Sequence, residues 1–392
     1  MTFGALAIVC LAALVGPLVS VSRLTRVPVV IGELVVGIAI GATGLRLVSA
    51  SQPEFAFLAE IGFALVMFVA GTHVPVRDPA LRAGLRVGAA RAALVGLVAV
   101  PAGLGIAAWF GTGHGPLYAV ILASSSAALI LPAMGGAGEQ PAGYPAMVAQ
   151  VAIADTACIV LLPLVIDTAH VARAAVGAAA VAAAAAAMWA ALRALESSGL
   201  RRRVHRVSED RLLAIELRTS LVLLFALAAL AVWLHVSVML AGFALGLAVA
   251  AVGPPRRLAK QLFALTEGFF GPVFFVWLGA SLDLRALADH PRALALGMAL
   301  GVAAVVVHGA MALTRQPLPL AVITAAQLGV PIAAATMGMR AGVLRPSEDT
   351  ALLLGALVTV VAVAIAARRV GAAADGDADA TGSVGASPPP VR

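Results

Sequence analysis

The sequence has little charge, few cysteines and few aromatic residues, and each shortage excludes a class of protein. Only 11% of the 392 residues are charged, whereas 62% are hydrophobic and 5% are aromatic. An average soluble domain carries about twice that charged share, so a soluble enzyme or a fibre is excluded. The two cysteines, Cys10 and Cys158, both lie inside apolar runs, and a disulfide framework is therefore not implied.

Motifs that bind nucleotides or fixed metals are missing as well. The sequence has no P-loop, which argues against transport driven directly by ATP, and no CxxC or HExxH metal motif. Neither a TVGYG selectivity filter nor a nucleophile–base pair at helical spacing occurs. We therefore predict no cofactor, no resident metal and no enzymatic activity.

The chain instead contains a series of long runs of Ala, Val, Leu and Gly. A spanning helix needs about 20 mostly apolar residues, and small residues let helices approach closely in lipid. The pattern predicts an all-α polytopic membrane protein with about 13 transmembrane helices, two of which turn near His235. The predicted spans are 3–21, 27–47, 57–75, 89–110, 116–136, 144–167, 174–193, 212–232, 235–252, 262–281, 293–313, 318–341 and 349–367.

Positive charge is distributed unevenly between the loops of this arrangement. With the N-terminus outside, 19 Lys and Arg residues fall on the inner side and six on the outer side. Because inner loops carry the excess of Lys and Arg, we predict a cytoplasmic-membrane protein with its N-terminus outside and its C-terminus in the cytoplasm. The net charge of +7 then reflects orientation, and no nucleic-acid partner is implied. The first apolar run follows Met1 directly, so we expect a retained helix rather than a signal peptide.

The longest inner loop divides the chain into two halves. We predict a first transmembrane half over 1–193, a basic cytoplasmic loop over 194–211 and a second transmembrane half over 212–370. From 371 to 392 the composition changes to Gly, Ala, Asp, Ser and Pro, which predicts a disordered cytoplasmic tail.

The two halves each contain one helix interrupted by polar residues, Pro and Gly. The fifth predicted helix carries SSSAALILPAM with Pro132, and the twelfth carries AAQLGVPIAAATMG with Gln327, Gly329 and Pro331. These helices are seven apart and so run in opposite directions. Interrupted helices at corresponding positions of an inverted repeat indicate a transporter site, although two unrelated proline kinks are an equal alternative at this point.

Asp155 is the acidic residue that most clearly requires an explanation, because it lies near the middle of the sixth predicted helix. A carboxylate at that depth costs about 2.5–3.5 kcal/mol, so it should face the protein interior or a water-filled cavity. Loss of water favours a bound proton and a nearby cation displaces it, which is the minimum chemistry of an antiporter. The alternative is a structural polar contact between helices.

Several neighbours supply oxygen atoms or a second titratable group. Thr156, Ser125 and Ser126 are candidate ligands for an alkali cation, although the serines could also bond to their own helix. His308 lies inside the eleventh predicted helix and is either a charge partner of Asp155, a pH sensor or a packing contact.

Glu33 lies in the second predicted helix, where Gly32, Gly37 and Gly41 form a stripe that predicts close helix packing. We expect Glu33 to have a structural role or to line a cytoplasmic funnel.

Three segments resemble the monovalent cation:proton antiporter superfamily, in its branch of bacterial sodium/proton and potassium/proton exchangers. They are RVPVVIGELVVGIAIGATGL, LAEIGFALVMFVAGTHV and GFFGPVFFVWLGASLDL, and the resemblance covers about residues 5–370. It implies a homodimer and a mobile core of predicted helices 4–6 and 11–13, which moves like an elevator. Two crossed, broken helices in that core would correspond to the fifth and twelfth here, with Asp155 as the ion-binding carboxylate.

The sequence departs from the family pattern at three polar positions. Ala154 replaces a frequent Asp, Asn or Gln, Val330 follows Gly329 where many members have Gly-Glu, and His308 is the nearest counterpart of a frequent Lys or Arg. We therefore predict electroneutral exchange of Na⁺ or K⁺ for protons. A proton-coupled exporter of a small organic or metabolite cargo is the alternative. A channel is disfavoured because the tail is too short for an appended nucleotide-binding domain.

Overall fold

The computed structural model describes residues 1–21, 29–74, 79–127, 129–130, 143–166, 171–198, 211, 213–253 and 256–384. Within these ranges the regular structure is helical and no strand occurs. A helix satisfies its backbone N–H and C=O groups within one segment, which hydrocarbon surroundings require. The predicted all-α class is confirmed.

The first half of the chain contains eight α-helices in the described ranges. Thr2 caps the first of them by accepting a hydrogen bond from the Ala5 N–H at 3.2 Å. The helices are α1 (Phe3–Ala13), α2 (Val15–Val21), α3 (Val29–Ile40), α4 (Pro53–His73), α5 (Pro79–Phe110), α6 (Gly115–Ala123), α7 (Tyr144–Ile166) and α8 (Val171–Ser197).

The second half contains nine more α-helices in the described ranges. A π-helical turn, Thr266–Phe270, joins α11 to α12, and a 3₁₀ turn, Ala310–Thr314, follows α14. The helices are α9 (Ile215–Trp233), α10 (Val238–Val252), α11 (Arg256–Leu265), α12 (Gly271–Ser281), α13 (Leu284–Ala288), α14 (Pro291–Gly309), α15 (Leu318–Ile323), α16 (Gly329–Ala341) and α17 (Glu348–Val384).

Nine segments of the described chain are long and apolar enough to cross a membrane. Three shorter apolar helices, Val29–Ile40, Val238–Val252 and Gly329–Met339, accompany them. The predicted count of thirteen spans stays a prediction. The predicted turn near His235 is confirmed, since α9 ends at Trp233 and α10 begins at Val238.

Several helix ends differ from the sequence prediction. The first span is interrupted at Leu14, three residues before Pro17, which lacks the N–H that would continue the helical hydrogen bonding. Helix α5 begins at Pro79 rather than 89, and so includes basic residues that we expected in a loop. Helix α17 continues to Val384, so residues 371–384 are helical where the composition predicted disorder. Residues 385–392 of that predicted tail lie outside the described residues.

The helices pack into two groups. In the scaffold group (α1–α4 and α8–α12), α4 packs on α10 and α12, α3 packs on α12, and α10 packs on α8. In the core group (α5–α7 and α14–α17), α5 packs on α6 and α7, while α14, α15 and α16 pack on α17. The core group therefore gathers both interrupted segments and the helix that carries Asp155.

Glycines bring the helices of the scaffold group into backbone contact. A Cβ atom on Gly32 would collide with Gly16, one on Gly37 with the Val276 carbonyl oxygen, and one on Gly41 with Ala280. These contacts join α3 to α2 and α12, so the predicted glycine packing stripe is confirmed.

Candidate functional site

The first interrupted helix breaks at a run of three serines. Helix α6 ends at Ala123, the backbone of Ser124 is extended with φ −73° and ψ 150°, and helical structure resumes at Ala127. The Ser124 hydroxyl donates to the Ile121 carbonyl oxygen at 2.8 Å. Such side-chain bonds compete with the regular helical pattern, which explains why the helix ends here.

The second interrupted helix breaks between α15 and α16. Helix α15 ends at Ile323, Leu328 has φ −146° and ψ −67°, and α16 starts at Gly329. A side chain at Gly329 would collide with the Met239 sulfur. Pro331 lies in the first turn of α16, where a residue without an N–H loses no helical hydrogen bond. Both breaks therefore lie in the segments that the sequence indicated, whereas Pro132 lies outside the described residues.

Polar side chains connect the two breaks to each other. The Ser125 hydroxyl donates to the Thr324 carbonyl oxygen at 2.6 Å. The Gln327 side-chain amide donates to the Ile121 carbonyl oxygen at 2.7 Å. The carbonyl oxygens at the end of each first half-helix thus find donors on the opposite break. We call this region, Ile121–Ala127 with Thr324–Gly329, the crossing.

Asp155 lies on α7 against the crossing. Its side chain is 3% exposed, and its Oδ2 atom accepts a hydrogen bond from the Ala127 N–H at 3.1 Å. Ala127 is the first helical residue after the break, and a helix N-terminus stabilises negative charge. The carboxylate therefore lies where the protein offers both exclusion from water and a favourable backbone dipole.

The predicted oxygen ligands divide into two kinds. Ser125 and Ser126 are buried in the crossing, close in sequence to the residue that hydrogen-bonds Asp155. Thr156 is half-buried, and its hydroxyl donates to the Ala152 carbonyl oxygen of its own helix at 2.7 Å. The structure therefore brings the two serines to the crossing and turns the threonine hydroxyl towards its own helix.

His308 is fully buried at the crossing and contacts both of the segments that form it. Its Nδ1 atom lies 2.9 Å from the Thr324 hydroxyl oxygen, and its Nε2 atom lies 3.2 Å from the Leu122 carbonyl oxygen. A neutral ring satisfies both contacts when Nε2 carries the proton and the Thr324 hydroxyl donates to Nδ1. The hydrogen bonds of His308 in the described chain thus go to the crossing backbone and Thr324, and not to Asp155.

Three polar residues of the site were missed by the sequence reasoning. Gln150 and Thr324 meet at 3.4 Å through the Gln150 side-chain amide, and both are fully buried. Thr359 on α17 accepts a hydrogen bond from the Gln327 backbone N–H at 3.1 Å. A single Gln or Thr within a helix is a common packing feature, and only the weak signal of a lone amide one and a half turns before Asp155 pointed to Gln150.

A cavity of about 680 Å³ separates parts of the two helix groups. Scaffold residues on its wall include Glu60, Phe63 and His235, and core residues include Pro163 and Thr336. Pro163 lies on α7, the helix of Asp155, and Thr336 lies on α16, which begins at the crossing. In the described part of the chain, no three His, Cys, Asp or Glu side chains lie close enough to hold a fixed metal ion.

Comparisons with known proteins agree with this architecture. The family model described as "Sodium/hydrogen exchanger, transmembrane" matches residues 10–369. A protein of Bacillus subtilis (strain 168), "Putative Na(+)/H(+) antiporter YjbQ", is 23% identical over 396 aligned positions, which cover 93% of this chain. The chain spans 62% of the length of that relative.

A solved structure shares the fold. The sodium proton antiporter MjNhaP1 from Methanocaldococcus jannaschii, determined at pH 8, superimposes with a TM-score of 0.68 and 17% identity. The match covers 95% of this chain and 98% of the other. The predicted antiporter-like architecture with interrupted helices is thereby confirmed as a fold.

Proposed function

Because the chain belongs to the sodium/hydrogen exchanger family, we propose that it is a secondary antiporter that exchanges Na⁺ or K⁺ for protons across the cytoplasmic membrane. Asp155 would bind the proton and the cation alternately. The observation that carries this proposal is the position of its carboxylate, which is 3% exposed and accepts the Ala127 N–H at the first helical residue after a break.

The competition between proton and cation follows from the surroundings of Asp155. A buried carboxylate is costly as a free anion, so it is occupied by a proton or by a cation. Alkali cations prefer oxygen ligands, and the buried hydroxyls of Ser125 and Ser126 supply them within the crossing. Binding of the cation releases the proton, and the reverse step reloads it.

Movement of the core group relative to the scaffold group would give the site access to each side of the membrane in turn. The cavity of about 680 Å³ between the groups supports such an elevator movement, since its walls come from both. We infer that this cavity opens outward, because Arg173, in the first turn of α8, and His235, in the turn before α10, lie at helix ends that the positive-inside rule assigns to the outer side. A homodimer held by the scaffold groups would anchor the movement.

Exchange would be one-for-one and electroneutral. Asp155 contributes one exchangeable charge, and His308 directs both ring nitrogens to the Thr324 hydroxyl and the Leu122 carbonyl. A neutral His308 leaves Asp155 without a fixed cationic partner, so one proton replaces one monovalent cation. A current that accompanies exchange and responds to membrane potential would contradict this stoichiometry.

The test is exchange by purified protein in liposomes that contain a pH-sensitive dye. We expect Na⁺, K⁺ or both to drive proton movement in the wild type, and Asp155→Asn to abolish it while the protein remains folded. Asp289→Asn, which changes an exposed carboxylate, is the matched control and should retain exchange. Full exchange by Asp155→Asn would overturn the role of Asp155. Proton movement that requires an organic solute in place of Li⁺, Na⁺, K⁺ or Rb⁺ would favour the exporter alternative.

A further inference from the structure

The side-chain amide of Gln150 has a hydrogen-bond partner at its nitrogen but none at its oxygen in the described part of the chain. The residue is 0% exposed on α7 and precedes Asp155 by five residues, which is about 7.5 Å along the helix axis. Its Nε2 atom contacts the Thr324 hydroxyl oxygen at 3.4 Å. Its Oε1 atom is buried and has no hydrogen-bond partner in the described part of the chain.

The hydrogen bonds of Thr324 determine which way this amide faces. The Thr324 hydroxyl has one hydrogen, which faces two acceptors, His308 Nδ1 at 2.9 Å and the Ala321 carbonyl oxygen at 2.7 Å. It therefore accepts from the Gln150 NH₂ group, and exchanging the amide nitrogen and oxygen would place two acceptors against each other. The hydrogen bonds of Thr324 therefore explain why the Oε1 atom of Gln150 has no partner.

An unpartnered buried carbonyl oxygen is unfavourable, because it loses its hydrogen bonds to water without replacement. A Met or Leu would fill a similar volume on α7 without that cost, so burial alone gives no reason for an amide here. Thr324 also accepts the Ser125 hydroxyl through its carbonyl oxygen at 2.6 Å. The Gln150 amide and the Ser125 hydroxyl therefore contact the same residue, and Gln150 Oε1 is left without a hydrogen bond in the described part of the chain.

We propose that Gln150 Oε1, beside Thr324 of the crossing, is a ligand in a second binding position for the transported monovalent cation, about one and a half turns from Asp155 towards the Tyr144 end of α7. The inference rests on the proposed antiport function. A rotation of about 140° separates residues five apart on a helix, so the two side chains point in different directions. The cation would therefore occupy the two positions in succession rather than contact both side chains at once.

A neutral oxygen ligand has a specific consequence for a cation–proton exchanger. An amide oxygen binds a cation but takes up no proton at physiological pH, so it raises affinity for the cation without raising affinity for the proton. Gln150 would therefore determine the apparent KM and the preference among alkali cations, while Asp155 would determine the dependence on protons.

The experiment compares wild type, Gln150→Met and Gln316→Met in the liposome assay with Li⁺, Na⁺, K⁺ and Rb⁺. Gln316 is the matched control, because it is also a buried glutamine with unpartnered amide atoms in the described chain, and it lies before α15. Gln150→Met should raise the apparent KM about tenfold, corresponding to the loss of one oxygen ligand worth about 1.4 kcal/mol, and should reduce the preference among cations. Gln316→Met should match the wild type.

The outcomes separate this inference from the proposed function. If Gln150→Met exchanges cations with the KM and cation preference of the wild type, the second position is overturned alone. If the wild type exchanges none of the four cations, the antiport function is overturned.

Thermal unfolding of the detergent-solubilised proteins tests binding separately. Gln150→Met should need about tenfold more cation than the wild type for the same rise in midpoint, and an equal requirement overturns the inference. A fully folded Gln150→Met at zero cation is expected, because the substitution removes an unpartnered polar group.

Discussion

The contact between α3 and α12 and the crossing in the core group bring backbones together in opposite ways. At Gly37 and Gly41 two intact helices approach because no side chain separates them. At the crossing the helices are interrupted, and Ser125 and Gln327 supply donors for the buried carbonyl oxygens of Thr324 and Ile121. The contact between α3 and α12 therefore depends on the lack of side chains at the two glycines, whereas the crossing depends on polar side-chain atoms.

This difference suits the proposed roles of the two groups. A contact between intact helices has few alternative arrangements, which favours a rigid support. Interrupted helices place backbone dipoles and carbonyl oxygens in the middle of the membrane, where an ion can use them. At the contact between α3 and α12 an added side chain should be damaging, whereas at the crossing the removal of a single polar atom should be damaging.

The largest effect on stability is expected from Gly37→Val. The new side chain would collide with the Val276 carbonyl oxygen and the Gly279 backbone, neither of which can move independently. We expect a loss of about 3 kcal/mol, visible as a lower thermal midpoint in detergent. Gly96→Val is the control, since a Cβ atom there meets no described atom within 4 Å. Equal midpoints for the two variants would contradict the packing role of the stripe.

Thr359→Val tests whether the crossing is sensitive to the loss of one polar atom. The Thr359 hydroxyl accepts the Gln327 backbone N–H at 3.1 Å, and valine leaves this buried group without its acceptor. We expect a loss of about 1–2 kcal/mol in detergent unfolding and a lower exchange rate. Thr359→Ser keeps the hydroxyl and should behave like the wild type. If valine and serine are equivalent, the hydrogen bond does not support the crossing.

His308→Ala tests a buried ring that holds the two segments of the crossing together, and its informative effect is on function. Its removal leaves the Leu122 carbonyl oxygen and the Thr324 hydroxyl without a common partner. We expect exchange to fall several-fold while its pH profile stays that of the wild type, as measured in liposomes, because a neutral His308 supports the crossing by hydrogen bonding. His308→Gln retains hydrogen bonding but does not titrate, and should recover part of the lost rate. A pH profile that shifts in both variants would contradict the neutral state of His308.

The smallest effect is expected from Thr156→Val. The Thr156 hydroxyl donates to the Ala152 carbonyl oxygen of its own helix, so its loss should change the cation KM by less than about twofold. A larger change in the liposome assay would restore Thr156 as a cation ligand.

The sequence was most informative at the polar residues that interrupt its apolar runs. Asp155 stood out because a carboxylate is rare within an apolar run, and both breaks were marked by clustered Ser, Gly, Gln and Pro. The glycine stripe of α3 was also predictable, because its spacing repeats on one helix face and small residues favour close contact.

The partners within the crossing were not predictable from local pattern. Gln150 and Thr324 are 174 positions apart, and Gln327 in the break before α16 is 32 positions from Thr359 on α17. Each is an ordinary polar residue in its own segment, and only the tertiary arrangement gives it a role. Helix ends were also missed where basic residues continue a helix, as at the start of α5, since charge marks a membrane boundary but does not end a helix.

The central claim is that one carboxylate binds the proton and the cation in turn. The most direct test is the apparent KM for the preferred cation, measured in wild-type liposomes from acidic to alkaline pH. Competition at Asp155 predicts that KM falls about tenfold for each pH unit on the acidic side and then becomes constant, because one proton must leave for each cation bound. A KM that stays the same across that range would contradict the account, since proton and cation would then bind at separate sites.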